Sequence, residues 1–328
     1  MPANLPPPYF EAERRFREAK TPAEKVEALE EMLTIMPKHK GTDKLRADVR
    51  RKISKFKVQS QQKKGASRKE TGYSIDKEGA AQVAMVGPPN SGKSSLLVKL
   101  SNATPEVAQF PHSTWKPTPG MTSYENIQFQ LLDTPPITNE YMDPWMGDLI
   151  RRCDIIAVVI DIQNGPLKQF EETVSILQGL RIFPPGFSVP EGLEKAPFVK
   201  KMMVVVNKVD GGEEEEDYEI FLALWESELP CIDISTKMER NLARFVEMIY
   251  EISGIMRVFT KAPGKKPDFN SPFVLPKEST LENLATKIHK DFVKNLKFAR
   301  KWGGSVFDGQ MIQRDHILQD GDVVEIHI

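Results

Sequence analysis

Residues 87–94 read Gly-Pro-Pro-Asn-Ser-Gly-Lys-Ser, which fits G-x-x-x-x-G-K-S and suits a polyphosphate ligand. Gly87 and Gly92 let the backbone wrap closely round phosphate oxygens, so that the N–H groups of residues such as Asn90 and Ser91 point inward. The helix expected to start here adds the partial positive charge of its N-terminus. Lys93 would neutralise the β- and γ-phosphates, and the Ser94 hydroxyl would ligate Mg²⁺, with Ser95 following it into the first turn. A single acid, Asp133, ends an apolar run further along the chain. An acid in that position is usually a turn residue. After a phosphate loop it is placed to hold the same Mg²⁺ through a water.

A second constellation is Asn207-Lys208-Val209-Asp210, after the run Met202–Val206. A carboxylate accepts two parallel hydrogen bonds from guanine N1–H and the 2-amino group. Adenine offers neither donor, so an adenine nucleotide would leave Asp210 unpaired, and ATP is disfavoured. Asn207 would join this loop to the phosphate loop, and the Lys208 stem would pack on the base. Alone, four such residues make an ordinary strand-end turn; behind a phosphate loop they read as a guanine site. Ser235-Thr236-Lys237 offers a third base-contact loop.

These residues need a scaffold that gathers strand ends. From Gln82 onward short apolar runs, Val83–Val86, Phe129–Leu132, Ile155–Ile160 and Met202–Val206, alternate with longer helical stretches. Buried parallel strands look like this, and an α/β, doubly wound domain follows. A helix over Asn241–Ile252 would close it. Before it, Thr21-Pro-Ala-Glu24 is a capping box that starts a helix with the stripe Val26, Leu29, Leu33 and Met36. A basic helix with Leu45, Val49, Ile53 and Phe56 comes next. After it, Phe273–Leu275 reads as a strand, then a helix capped by Ser279 with Glu282 three positions on. Asp320-Gly321 is a turn into a last strand, Val323–Ile328. The expected organisation is therefore a helical region with a basic arm over 1–62, a linker over 63–79 and a nucleotide domain over 80–262. A second linker over 263–272 and a small C-terminal domain over 273–328 complete it.

With these residues in place, the chain resembles the Obg group of GTPases. Within it, the resemblance is to the developmentally regulated GTP-binding proteins and their prokaryotic TGS-domain relatives. The similarity covers roughly residues 80–328. It implies a P-loop GTPase domain and, from Phe273-Val-Leu-Pro to the Asp320-Gly-Asp-Val-Val-Glu-Ile326 run, a β-grasp TGS domain. His112-Ser-Thr-Trp-Lys-Pro-Thr-Pro119-Gly120 is similar to that group's first switch segment, so Thr114 is the implied switch threonine that reaches Mg²⁺, with Thr118 the alternative. Asn90 resembles an asparagine that helps bind K⁺ in related GTPases, and such a cation would do an arginine finger's electrostatic work. The larger insertion that some members carry is expected to be absent, since Asp210 leads to Ser235 in 25 residues. Two positions depart. Where the group has D-x-x-G, whose glycine N–H bonds the γ-phosphate, this chain has Asp133-Thr-Pro-Pro136, and proline has no N–H. Ile137 stands where many GTPases carry a water-orienting glutamine. Intrinsic hydrolysis is therefore expected to be slow and to depend on an activator or K⁺. A module that binds GTP or GDP with negligible hydrolysis is the second reading.

The net charge of −1 conceals a basic stretch: Lys38–Lys69 holds 13 Lys or Arg against two acids. It is either a solvated helix face with a tail or a contact to a phosphate backbone. The C-terminal helix adds Lys287, Lys290, Lys294, Lys297, Arg300 and Lys301. Two basic surfaces flanking a GTPase suit a ribosome, rRNA or tRNA, with a protein regulator as a further partner; sparse aromatics argue against base stacking. The acids of Glu213–Glu219 read as a solvated helix start. Cys153 and Cys231 sit beside apolar runs as small buried hydrophobes. No apolar run reaches the roughly 18 residues of a membrane helix, and the N-terminus lacks a signal-peptide core. A cytoplasmic protein without a membrane partner is the expectation.

Overall fold

The computed structural model describes residues 7–18, 22–36, 46, 49, 52–53, 75–101, 116–138, 142–190, 192–193, 195–303 and 307–328. The chain divides into two bodies, residues 1–72 and 73–328. In the first, α1 (Pro7–Glu18) and α2 (Pro22–Ile35) bury Tyr9, Ala12, Leu29, Met32 and Met36 together with Val49 and Ile53. The helix begins at the proline that the expected capping box supplies; Thr21 lies outside the described residues. Arg46, one of the bases of the presumed arm, is buried and donates to the Met36 carbonyl at 2.7 Å. A cation at the end of α2 satisfies carbonyls that the helix cannot. That guanidinium is thus a packing group, and most of Lys38–Lys69 lies outside the described residues.

The second body holds a six-stranded sheet in the order β2-β3-β1-β4-β7-β8. Its strands are β1 (Gln82–Val86), β2 (Thr118–Tyr124), β3 (Ile127–Asp133), β4 (Ile155–Asp161), β7 (Lys201–Asn207) and β8 (Cys231–Asp233). All neighbours run parallel except β2, which folds back on β3. Because side chains alternate along a strand, the apolar runs feed two cores. Ala84, Val86, Ile156, Val158, Ile160, Val204 and Val206 meet α4 (Pro144–Arg152), α5 (Pro166–Gly179) and α6 (Glu213–Ala223) on one face. Val83, Met85, Ala157, Val159, Met203 and Val205 meet α3 (Lys93–Leu100) and α7 (Leu242–Ser253) on the other. The proline-punctuated stretch before β7 holds a short parallel pair, β5 (Ile182–Phe183) with β6 (Phe198–Val199). Strand β1 lies between β3 and β4, so successive connections leave it in opposite directions. The loop after β1 therefore sits at a topological switch point, at the carboxyl edge.

A second, five-stranded sheet runs β10-β9-β13-β11-β12. It comprises β9 (Ile255–Thr260), β10 (Asp268–Pro276), β11 (Phe298–Trp302), β12 (Gln310–Ile312) and β13 (Val323–His327). This sheet grasps α8 (Leu281–Ile288), burying Met256, Val258, Leu275, Leu284, Ala299 and Val324. A short α9 (Lys290–Asn295) follows after a break at His289. Three details differ from the sequence expectation. Ile255–Thr260, placed by sequence at the end of the nucleotide domain, pairs with β10 and β13, and β10 reaches back into the expected 263–272 linker. The helix cap is Thr280 with Asn283, one residue beyond Ser279 and Glu282, since the Thr280 hydroxyl accepts from Asn283 N. Arg300 and Lys301 lie on β11, not on the helix, and Lys301 is fully buried against Asp322 at 2.8 Å, which removes it from any basic surface.

The two sheets meet at Arg257 of β9. Its guanidinium bonds Asp320 at 2.8 Å and also Glu125, in the β2–β3 turn. It lies over the rings of Tyr250 and Tyr124, 5.0 and 5.7 Å from their centroids, and those rings stack at 4.8 Å. Planar guanidinium groups suit such a mixed polar and aromatic joint.

Candidate functional site at the carboxyl edge of the sheet

Each candidate residue follows a strand of the first sheet. Gly87 follows β1; its φ of 153° brings the loop so close to β4 that an added Cβ would lie 2.1 Å from the Val159 carbonyl. Asn90 is exposed with φ 62°, a left-handed conformation that asparagine tolerates. Gly92 (φ 91°) is the N-cap of α3 and lends no side-chain cap, so the first N–H groups of α3 are left for an anion. Lys93 folds back over the loop, donating to the carbonyls of Pro88 at 2.7 Å and Gly87 at 3.1 Å. Burial pushes its ammonium down to about 8, against the opposing pull of Asp133.

On β3, Asp133 Oδ2 accepts from Ser94 Oγ at 2.6 Å. Its Oδ1 is buried and has no hydrogen-bond partner among the described residues. Burial raises the Asp133 carboxyl, and the Ser94 hydrogen bond and the Lys93 charge oppose it. An unpartnered carboxylate oxygen beside a hydroxyl has the oxygen donors that a small hard cation retaining its waters requires. Ser95 is exposed in the first turn of α3. Thr114 lies outside the described residues; the alternative, Thr118, opens β2 directly opposite Asp133.

Beyond Asp133 the chain is held to β1 and to the phosphate loop. Thr134 Oγ1 donates to the Met85 carbonyl at 2.8 Å, and Ile137 N donates to the Gly87 carbonyl at 3.2 Å. The Ile137 side chain is buried in the core. Pro136 has no N–H, and that of the next residue is already used within the protein.

The base-side loop is joined to the phosphate loop by Asn207, fully buried at the end of β7, whose Nδ2 donates to the Ser91 carbonyl at 2.9 Å. Val209 N donates to the Ile234 carbonyl at 3.1 Å, aligning this loop with the one after β8. Asp210 Oδ1 accepts from buried Ser235 Oγ at 2.6 Å, and Lys237 Nζ lies 3.4 Å from Oδ2. Ser235 Oγ accepts in turn from Met238 N at 2.8 Å. Thr236 is half-buried in the same turn. Lys208 has φ 68°, and its ammonium pairs with Asp161 Oδ2 at 2.6 Å. Sequence reasoning passed over Asp161, although it ends β4 as Asp133 and Asn207 end β3 and β7 and lies beside Asn207 in register.

Gly92 is a point of close approach between the two loops: an added Cβ would lie 2.0 Å from Asn207 Nδ2. Gly92→Ala therefore combines left-handed strain with loss of the Asn207–Ser91 bond, together about 1–3 kcal/mol, or roughly 5- to 150-fold in GDP affinity. Equilibrium titration with GDP checks this, and unchanged affinity would contradict the assigned geometry.

Comparison with known proteins agrees with this arrangement. Residues 82–208 match the family described as 50S ribosome-binding GTPase, and residues 256–328 match the TGS domain. An uncharacterized GTP-binding protein of Methanocaldococcus jannaschii is 30% identical, over 93% of this chain and 92% of its own length. Developmentally-regulated GTP-binding protein 2 of Homo sapiens is 24% identical over 92% of this chain and 98% of its own length. Among solved structures, the YchF GTPase of Schizosaccharomyces pombe covers 77% of this chain at a TM-score of 0.52 and 11% identity, a likeness of fold alone. The phosphate loop at the sheet's switch point, the guanine-type loop joined to it and the β-grasp unit behind them place the chain among the Obg-group GTPases that carry a TGS domain, with the developmentally regulated GTP-binding proteins.

Proposed function

We propose that the protein is a Mg²⁺-dependent GTP switch whose slow hydrolysis governs its association with the ribosome or with ribosomal or transfer RNA. One observation carries the nucleotide half of this reading. The loop that cradles phosphate and the loop that presents Asp210 are held together by the Asn207–Ser91 hydrogen bond, so one guanine nucleotide can engage both. Gly87, Asn90, Ser91, Gly92, Lys93, Ser94 and Ser95 surround the phosphates, while Asn207, Lys208, Asp210, Ser235, Thr236 and Lys237 surround the base. Ser94, Asp133 and Thr114 are the groups that would hold Mg²⁺, which supplies charge neutralisation at the phosphates.

No side chain at position 137 can orient water, so intrinsic turnover is expected on the order of 10⁻⁴ to 10⁻² s⁻¹, within reach of a protein or RNA activator. Asn90 is the residue through which K⁺ would act. Single-turnover hydrolysis in K⁺ should exceed that in Na⁺ by about tenfold or more; equal rates remove Asn90 from the catalytic group. Tethering of Ile137 N to Gly87 favours a second reading, a GTP or GDP sensor with negligible hydrolysis. Single-turnover assays with and without ribosomes separate the two, since a sensor stays inactive in both.

The ribosomal half rests on the family description and on the bases Lys287, Lys290, Lys294 and Lys297 of the C-terminal domain. Binding through phosphate contacts releases counterions, so affinity for ribosomal subunits should fall about tenfold or more between 50 and 200 mM salt. Sedimentation with GTP-, GDP- and nucleotide-free protein tests this; salt-independent binding would rule it out. Among the described residues no helix is long and apolar enough to cross a membrane, and this reading places the protein in the cytoplasm.

A further inference from the structure

Asp161 is 3% exposed, and its carboxylate has more to do than end a strand. Oδ1 accepts from Gln163 N at 3.0 Å. Oδ2 accepts from Asn164 Nδ2 at 2.6 Å and from the Lys208 ammonium at 2.6 Å. The backbone at 161 is itself fixed from α5: Gln169 Oε1 accepts from Asp161 N at 3.0 Å, and Gln169 Nε2 donates to the Asp161 carbonyl at 2.9 Å. Lys208, by contrast, stands on left-handed backbone, and its side chain is about a third exposed. A four-carbon stem there has many rotamers to lose, and that loss opposes any role as a wall of a binding slot.

We propose that Asp161 is a positioning residue for guanine-nucleotide binding: it fixes the Lys208 ammonium so that the lysine stem lies ready as one wall of the base slot. This rests on the reading of Lys208 and Asp210 as the base site. Asp161 itself touches no nucleotide; it acts through Lys208 alone. A carboxamide of the same shape cannot take its place. Whichever way it is turned, the carboxamide presents a donor to at least one of the N–H and ammonium groups that the carboxylate oxygens now accept from. With its nitrogen towards Lys208 the carboxamide repels the ammonium; with its oxygen there, Lys208 keeps only a neutral acceptor and Gln163 N–H is left facing a donor.

The test is a double-mutant cycle read as GDP affinity by titration calorimetry. Asp161→Asn alone should weaken GDP about tenfold and raise KM for GTP by a similar factor with kcat nearly unchanged, the pattern of lost uniform binding. Lys208→Met keeps a long stem and removes the ammonium. In that background Asp161→Asn should cost no more than about twofold. Thermal unfolding of the nucleotide-free variants separates a folding effect from a binding effect. Equal losses in both backgrounds, or no loss with Asp161→Asn alone, overturn the proposal. Should Asp161→Asn fail to fold, Asp161→Glu, which keeps the charge and displaces it by one methylene, is judged by the same two comparisons. The base-site reading stands or falls separately, on whether Asp210→Asn changes the preference for guanine.

Discussion

Asp210→Asn is expected to lower affinity for GDP and GTP by about 10²- to 10⁴-fold, the worth of two hydrogen bonds to a partly buried charged acceptor at roughly 1.5–3 kcal/mol each. The carboxylate is held in place beforehand: Ser235 Oγ donates to it at 2.6 Å, and Ser235 is fully buried. Little ordering is then left for the nucleotide to impose. In the asparagine variant one acceptor becomes a donor facing the N–H edge of guanine, so attraction turns to repulsion. Competition with GTP, ITP and ATP reads the effect directly. ITP lacks the 2-amino group, so the wild-type protein should bind it far more weakly than GTP, and the variant should barely separate the two. Unchanged ranking of the three nucleotides would remove Asp210 from base recognition.

The second large effect concerns pH. Burial holds the Lys93 ammonium down to about 8, with Asp133 pulling the other way. Phosphates that approach it favour the charged form, so its pKa rises on binding. Below pH 8 lysine is charged both before and after binding, and affinity is at its plateau. Above pH 8 the free protein has lost the proton that the complex keeps, so binding takes one up and weakens with rising pH. GDP affinity should therefore drop about tenfold from pH 7 to pH 9. Calorimetry at pH 9 in buffers of different ionisation enthalpy should register uptake of about one proton per nucleotide. Lys93→Met should bind roughly 100-fold more weakly at pH 7 and lose the pH dependence. A dependence that survives in Lys93→Met assigns it to another group.

The nucleotide domain was largely legible in the sequence because its signals are local. Continuous burial along β1, β4 and β7 follows from apolar runs with no polar interruption, and the phosphate loop needs only its glycines, lysine and serine in order. What sequence missed depends on partners far along the chain. Ile255–Thr260 directly follows α7, so it reads as part of the same domain; only its pairing with residues 273–276 and 323–324 moves it to the second sheet. Lys301 ends a run of bases that looks like a helix face, and its partner Asp322 lies 21 residues on. Asp161 looked like the polar end of an apolar strand. Its ion-pair partner is Lys208, 47 residues on in sequence and adjacent in space.

The segment from Asp133 to Ile137 has a thermodynamic consequence. Many nucleotide switches draw their free-energy difference from loops that freeze around a third phosphate and melt when it leaves. Here the stretch is already anchored to Met85 and Gly87, with an isoleucine sunk in the core. It has little disorder to surrender, so exchanging a diphosphate for a triphosphate is expected to change its entropy only slightly.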